Sequence, residues 1–176
     1  MNPTKAQMNE MRKKHVVHGL NPEDQNYLQM HKYADDVLSG KIAAGKLLKR
    51  AAERHFKDLY RSEHDPTFNF YLCPKKAQKI VTFYKFIKHT KGALARQSVK
   101  LMPWQIFLLS STIGWLNKDT HLRRFKACTV FVGRKNGKST IASGLALYML
   151  VADGEVGAEV YSVARTKDQA KIVFDD

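Results

Sequence analysis

Between residues 21 and 89 apolar side chains return at the spacing of helices with one buried face. Asn21 and Pro22 open the first of these, "NPEDQNYLQMHKYADDVLSG", as a cap and a first-turn proline. Tyr27, Tyr33, Ala34, Val37 and Leu38 form its apolar face, and Gly40 ends it. The stretch "KIAAGKLLKRAAERHFKDLYR" predicts a second amphipathic helix, with Gly45 as a mild interior defect. "FNFYLC" predicts a short strand, and Pro74 opens a third helix through "PKKAQKIVTFYKFIKH". The first twenty or so residues are polar and predict a frayed tail.

After "LRRFK" the pattern changes. Ala127 to Val132 is a β-rich run that stops at Gly133, and "KSTIASGLALYMLVADG" reads as a helix ending near Asp153 and Gly154. "AEVYSVA" alternates, and "TKDQAKIVFDD" begins a further helix with Thr166 and Gln169 at capping-box spacing. Strand, loop, helix, strand, loop, helix is the order of a parallel sheet with crossover helices. The expectation is an α/β chain: a mostly helical subdomain over residues 1–100, then the first part of a parallel-sheet domain over residues 101–176. The Gly137-Lys138-Ser139 turn at the head of its first crossover helix makes that part a P-loop NTPase domain.

The turn between the first β-rich run and its helix carries the candidate chemistry. "FVGRKNGKST" ends like a phosphate-binding loop, which reads Gly, four residues, Gly, Lys, then Ser or Thr. Here only Arg134, Lys135 and Asn136 separate Gly133 from Gly137, and the usual first glycine falls on Val132. Backbone N–H groups at such a turn surround phosphate oxygens, and the helix N-terminus favours the anion. Gly133, Arg134, Lys135, Asn136, Gly137, Lys138, Ser139 and Thr140 are therefore the expected contacts of ATP. Lys138 would reach the β- and γ-phosphates, and the Ser139 hydroxyl would serve Mg²⁺. Arg134 is either a second positive group at the γ-phosphate, acting in catalysis with Lys138, or a solvated surface arginine. Upstream, Gln105 in "LMPWQIFLLSSTIGW" either bonds adenine through its amide or simply starts a helix. Trp104 either packs on a base or anchors that helix.

Charge adds a partner class. The chain has 30 Lys+Arg against 16 Asp+Glu, a net charge of +14, which favours a polyanion such as nucleic acid. Between Asp65 and Asp119 there is no acidic residue, while lysines and arginines recur. Cys73 and Cys128 form no Cys-x-x-Cys pair and are expected to be small core residues in a reducing compartment. No stretch approaches the roughly 20 apolar residues of a membrane span, and the start lacks the apolar core of a signal peptide, so the expected location is the cytoplasm. His15 and His18 in "HVVH" have a metal-compatible spacing but no third ligand nearby.

Together, "DDVLSGKIAAGKLLKRAAERHFKDL", "HTKGALARQSVKLMPWQ", "VGRKNGKST" and "DGEVGAEVYSVARTKDQAKIVFDD" resemble the N-terminal part of the large terminase subunit of tailed phages, the ATP-driven DNA-packaging motor. The resemblance implies adenine contact by Gln105, phosphate binding by Lys138, Mg²⁺ ligation through Ser139 and a catalytic role for Arg134. It implies double-stranded DNA, a small terminase subunit and a portal protein as partners, and a ring of copies in the host cytoplasm. The family also needs an apolar strand ending in Asp-Glu and, later, a metal-dependent nuclease. "KIVFDD" mimics that strand but continues from the Thr166 cap, so it reads as helix. The chain is accordingly expected to be an incomplete domain, inactive by itself. A helicase-like DNA-dependent ATPase and a basic DNA-binding module with a vestigial phosphate loop are the competing classes.

Overall fold

The computed structural model describes residues 2–90 and 92–175. It divides into two compact units, each drawing on both sides of residue 100: the chain up to Thr82 with Leu101–Cys128, and Phe83–Lys100 with the chain from Thr129 onward.

The first unit is built on helices. α1 (Lys5–His15) forms where a frayed tail was expected, because Thr4 and Gln7 close a reciprocal capping box at its start. Asn21 caps only a single 3-10 turn, Pro22–Asp24, after which Gln25 turns left-handed and breaks the run. α2 (Gln29–Leu38) follows and buries Met30, Ala34 and Val37, one to each turn. α3 (Lys46–His64) starts after Gly45, which is its N-cap and no interior defect. β1 (Phe70–Leu72), α4 (Pro74–Phe83), α5 (Pro103–Gly114) and β2 (Trp115–Asn117) complete the unit, α4 reaching one residue past it. α2 packs on α3 and α5, and α1 packs on α3. Their shared core includes Met11, Met30, Phe56, Phe107 and Trp115.

The sheet corrects the expected fold. β1 and β2 pair antiparallel, Phe70 opposite Asn117 and Leu72 opposite Trp115, and no other strand is present among the described residues. About half of the chain is helical. Among the described residues there is no parallel sheet with crossover helices, and hence no P-loop NTPase sheet. Residues 128–133 and 158–164 lie without a ladder, and several of their apolar side chains face solvent: Phe131 is 98% exposed and Val163 91%, while Val132 and Val160 are half-buried. β-propensity expresses fit to a paired, half-buried surface, and neither segment has one. A parallel pair also needs helices over both faces.

Cys128 is exposed and Cys73 half-buried, so neither is the core residue expected. Both are free thiols. No helix among the described residues is long and apolar enough to cross a membrane.

Two buried polar contacts hold the first unit. Arg124 Nη1 donates to Asp58 at 2.7 Å, and its guanidinium lies within about 5 Å of the Phe68, Phe70, Trp115 and Phe125 rings. His31 on α2 and His55 on α3 share a hydrogen bond of 2.8 Å between Nδ1 and Nε2. His15 at the end of α1 has its ring centroid 5.4 Å from that of His31, in a tilted arrangement, and lies 3.2 Å from Glu63, which also receives Lys14 at 2.7 Å. His18 lies beyond α1, and no metal-holding group of three such ligands exists among the described residues.

Burial, and then the nearby His15, push the His31 pKa down to about 3. Burial lowers His55 well below its ordinary value, with His31, His15 and Arg54 adding to the shift. Both rings are neutral in the folded chain at neutral pH, whereas the unfolded chain protonates them near pH 6.5. Their contribution is therefore whole above about pH 6.5 and drains away as pH falls toward 3, by at most about 1.4 kcal/mol per pH unit for each ring. The prediction is that urea stability, followed by Trp fluorescence, declines over this range. His55→Leu should decline less steeply, and equal slopes would mean that the pair is already solvated.

The second unit contains α6 (Lys138–Val151) and α7 (Lys167–Asp175), which pack together. Thr166 Oγ1 accepts from the Gln169 N–H at 3.3 Å, the cap expected from sequence, and "KIVFD" is helical as expected. Asp176 lies outside the described residues. Tyr84 fixes α6: its hydroxyl donates to the Ile141 carbonyl at 2.6 Å, and its ring lies against Gly144. A Cβ on Gly144 would stand 2.6 Å from Tyr84 Cε1 and 2.8 Å from Ile87 Cδ1. Gly144→Ala gains about 1 kcal/mol of helix propensity but overpacks this contact, at a cost of about 1–3 kcal/mol. We expect a lower melting temperature; an unchanged or higher one would show that the contact is loose.

Candidate functional site

The Gly-Lys-Ser turn leads into α6. Lys135 and Gly137 both adopt left-handed backbone, with φ of 63° and 70°. Such conformations in a turn direct N–H groups to one side, the arrangement of anion-binding nests. Asn136 closes the turn, its Nδ2 donating to the carbonyls of Gly133 at 3.3 Å and Arg134 at 3.1 Å. Asn136 is thus occupied in shaping the turn.

Lys138 is the first residue of α6. Its Nζ turns back and donates to the carbonyls of Val132 at 3.1 Å and Gly133 at 2.7 Å. The charge is therefore held against the turn by two carbonyls while the residue stays exposed. The first turn of the helix carries no acidic residue, and no side chain caps its N-terminus. Arg134, Gly137, Lys138 and Ser139 are exposed, and Thr140 is half-buried. The turn lacks the setting of a Walker A motif, however, because the residues before it form no strand. That expectation from sequence is corrected with the sheet, and for the same reason: the β-rich run has no ladder partner.

The donor set suits an anion better than a metal. Three positive side chains (Arg134, Lys135 and Lys138), a left-handed turn and an uncapped helix start are complementary to phosphate. For Mg²⁺ the expected ligand is the Ser139 hydroxyl, and no cluster of three His, Cys, Asp or Glu side chains able to hold a metal stands among the described residues. A hard cation would arrive already held by phosphate oxygens and water.

Gln105 belongs to the first unit. It stands in the first turn of α5, not ahead of the helix, and is 8% exposed. Its Oε1 accepts from the Met102 N–H at 2.8 Å, so a bidentate adenine contact requires that bond to be exchanged. Trp104 packs against the core of the first unit and anchors the helix.

Sequence reasoning missed the residues that position the turn. Tyr84 and Ile87 were assigned to a helix running to residue 89, whereas α4 stops at Phe83 and a narrow hairpin follows. The signal was present in "HTKGALARQ", where helical periodicity ends in a glycine-containing turn.

Residues 103–176 match the family described as the terminase large subunit, ATPase domain. The match begins at Pro103, so the helices before it, included in the resemblance read from sequence, lie outside it. Comparison with curated proteins and with solved structures gives no match. The family match links the chain to terminases and to nucleotide-binding, ATPase-type domains.

Proposed function

We propose that this chain is a nucleotide-binding, DNA-associated module of the terminase ATPase kind. The observation that carries the reading is the turn before α6, which holds Lys138 over an uncapped helix start within the segment that matches the family. ATP is the proposed nucleotide. Its phosphates would lie against the N–H groups of residues 133–140, with Lys138 neutralising the terminal phosphates. Arg134 would add a second charge there. Mg²⁺, bound to the phosphates, would take the Ser139 hydroxyl as a ligand and reduce the negative charge. The net charge of +14 supports DNA as the second partner.

A second reading, favoured by the family match, is a motor that hydrolyses ATP to translocate double-stranded DNA into a procapsid. In that setting a small terminase subunit and a portal would be partners, and copies would assemble in a ring. The single-stranded counterpart is a helicase-like ATPase.

Lys138→Ala removes the one ammonium held on the turn. We expect its MgATP affinity, measured by calorimetry, to fall by at least tenfold, which is about 1.4 kcal/mol. An affinity equal to that of the unaltered chain would sink the nucleotide assignment. Gln105→Ala should lower the melting temperature, because the Met102 N–H at the start of α5 loses the amide oxygen that accepts it. An unchanged melting temperature would show that this bond adds nothing to the fold.

A further inference from the structure

The acid-free segment contains a feature that the nucleotide reading does not use. After Tyr84 the chain forms a narrow antiparallel hairpin. Lys88 pairs with Ser98, the Val99 N–H donates to Ile87 at 2.8 Å, and the His89 N–H donates to Gln97 at 2.9 Å. Side chains alternate between the two faces of such a ribbon. Val99 is buried, and Ile87 lies against Gly144 of α6, so this face is turned inward. Lys88 and Ser98 occupy the other face and are exposed. Lys85 is exposed just before them, and no ion pair engages Lys85, Lys88 or Arg96 among the described residues.

Arg96 is the informative residue. Its N–H donates to the His89 carbonyl at 2.7 Å while Gln97 accepts from the His89 N–H, so two residues stand opposite one. That is a bulge, and Arg96 occupies its first position with φ of 69°. Glycine is the usual occupant of a left-handed first position in a bulge. An arginine held there, exposed and against its steric preference, points to a role for its guanidinium outside the fold.

We propose that the exposed face of this hairpin, through Lys88 and Arg96 with Lys85 beside them, binds the phosphate backbone of duplex DNA. The inference rests on the DNA-associated reading above only for the identity of the polyanion. Exposed charges beside a serine on a hairpin that the bulge twists suit sequence-independent contact with regularly spaced phosphates. Phe86, 77% exposed, is one aromatic side chain, whereas single-strand binding relies on successive stacking platforms in a groove.

The test is the fluorescence anisotropy of a labelled 30-base-pair duplex of arbitrary sequence, titrated with the 176-residue chain between 50 and 200 mM salt. Each phosphate contact contributes about 0.9 to the slope of log affinity against log salt. Lys88→Ala combined with Arg96→Gly should reduce the magnitude of that slope by about 2 and weaken binding at least tenfold at the lowest salt. Arg96→Gly by itself should keep or raise the melting temperature, because glycine relaxes the left-handed position, which separates lost binding from lost folding. Calorimetry of the double variant with MgATP should give the affinity of the unaltered chain. An unchanged slope and duplex affinity would overturn the proposal, as would tighter binding to the 30-nucleotide single strand, or equal displacement by polyglutamate. Failure of the unaltered chain to bind MgATP would remove the nucleotide reading and leave the duplex comparison to decide the role of the hairpin.

Discussion

The contact between Tyr84 and α6 is the constraint on which the second unit depends. A tyrosine ring with no solvent exposure occupies the space that a side chain at Gly144 would need, and its hydroxyl donates to the Ile141 carbonyl. Ring and hydroxyl act together: burying the ring forces the polar tip to find a partner, and the helix backbone supplies it. Phe83 meets Tyr148 edge-on at 5.4 Å, one turn further along the same helix. These contacts set where α6 lies relative to the chain that follows α4. The turn that holds Lys138 is the start of α6, and the basic hairpin leans on the side of that helix through Ile87. Both candidate binding features thus share one anchor.

The first unit is organised differently. Its helices bury a continuous apolar core, but the contacts that fix how they meet are polar. Arg124 and Asp58 form a nearly buried pair whose cation is shielded by four aromatic rings. Breaking such a pair on one side leaves an uncompensated charge, a larger loss than the pair is worth against an apolar replacement. The His31–His55 bond needs at least one ring to stay neutral as its acceptor, and His55 Nδ1 has no hydrogen-bond partner among the described residues. An acid-sensitive joint between α2 and α3 follows from that arrangement.

Local signals accounted for much that was legible. Helical periodicity in residues 46–64, 103–114 and 138–151, the cap at Thr166, and the turn around Gly137 all depend on residues within about four positions of each other. The same holds for the positive residues of the turn, which follow from their spacing alone. The charge asymmetry between Asp65 and Asp119 was equally plain, although which of its lysines face solvent was not.

What tertiary structure decided lies beyond that range. Residues 128–133 and 158–164 have strand composition, yet a strand exists only when another segment completes its ladder, and sequence carries no statement about that partner. Gly45 looked like a defect inside a helix because the sequence does not say where packing begins; it proved to be the start. The helix expected to reach residue 89 ends at Phe83, since burying Tyr84 against Gly144 outweighs continuing the local period. Arg96 reads as an ordinary arginine until the pairing of Lys88 with Ser98 forces it into a left-handed bulge. The sequence by itself determined the spacing of the Gly-Lys-Ser turn and the helical periods within residues 46–64, 103–114 and 138–151. Only the tertiary structure decided which faces those helices bury, which segments pair, and which charges remain available, because each of these depends on contacts between residues far apart in the chain.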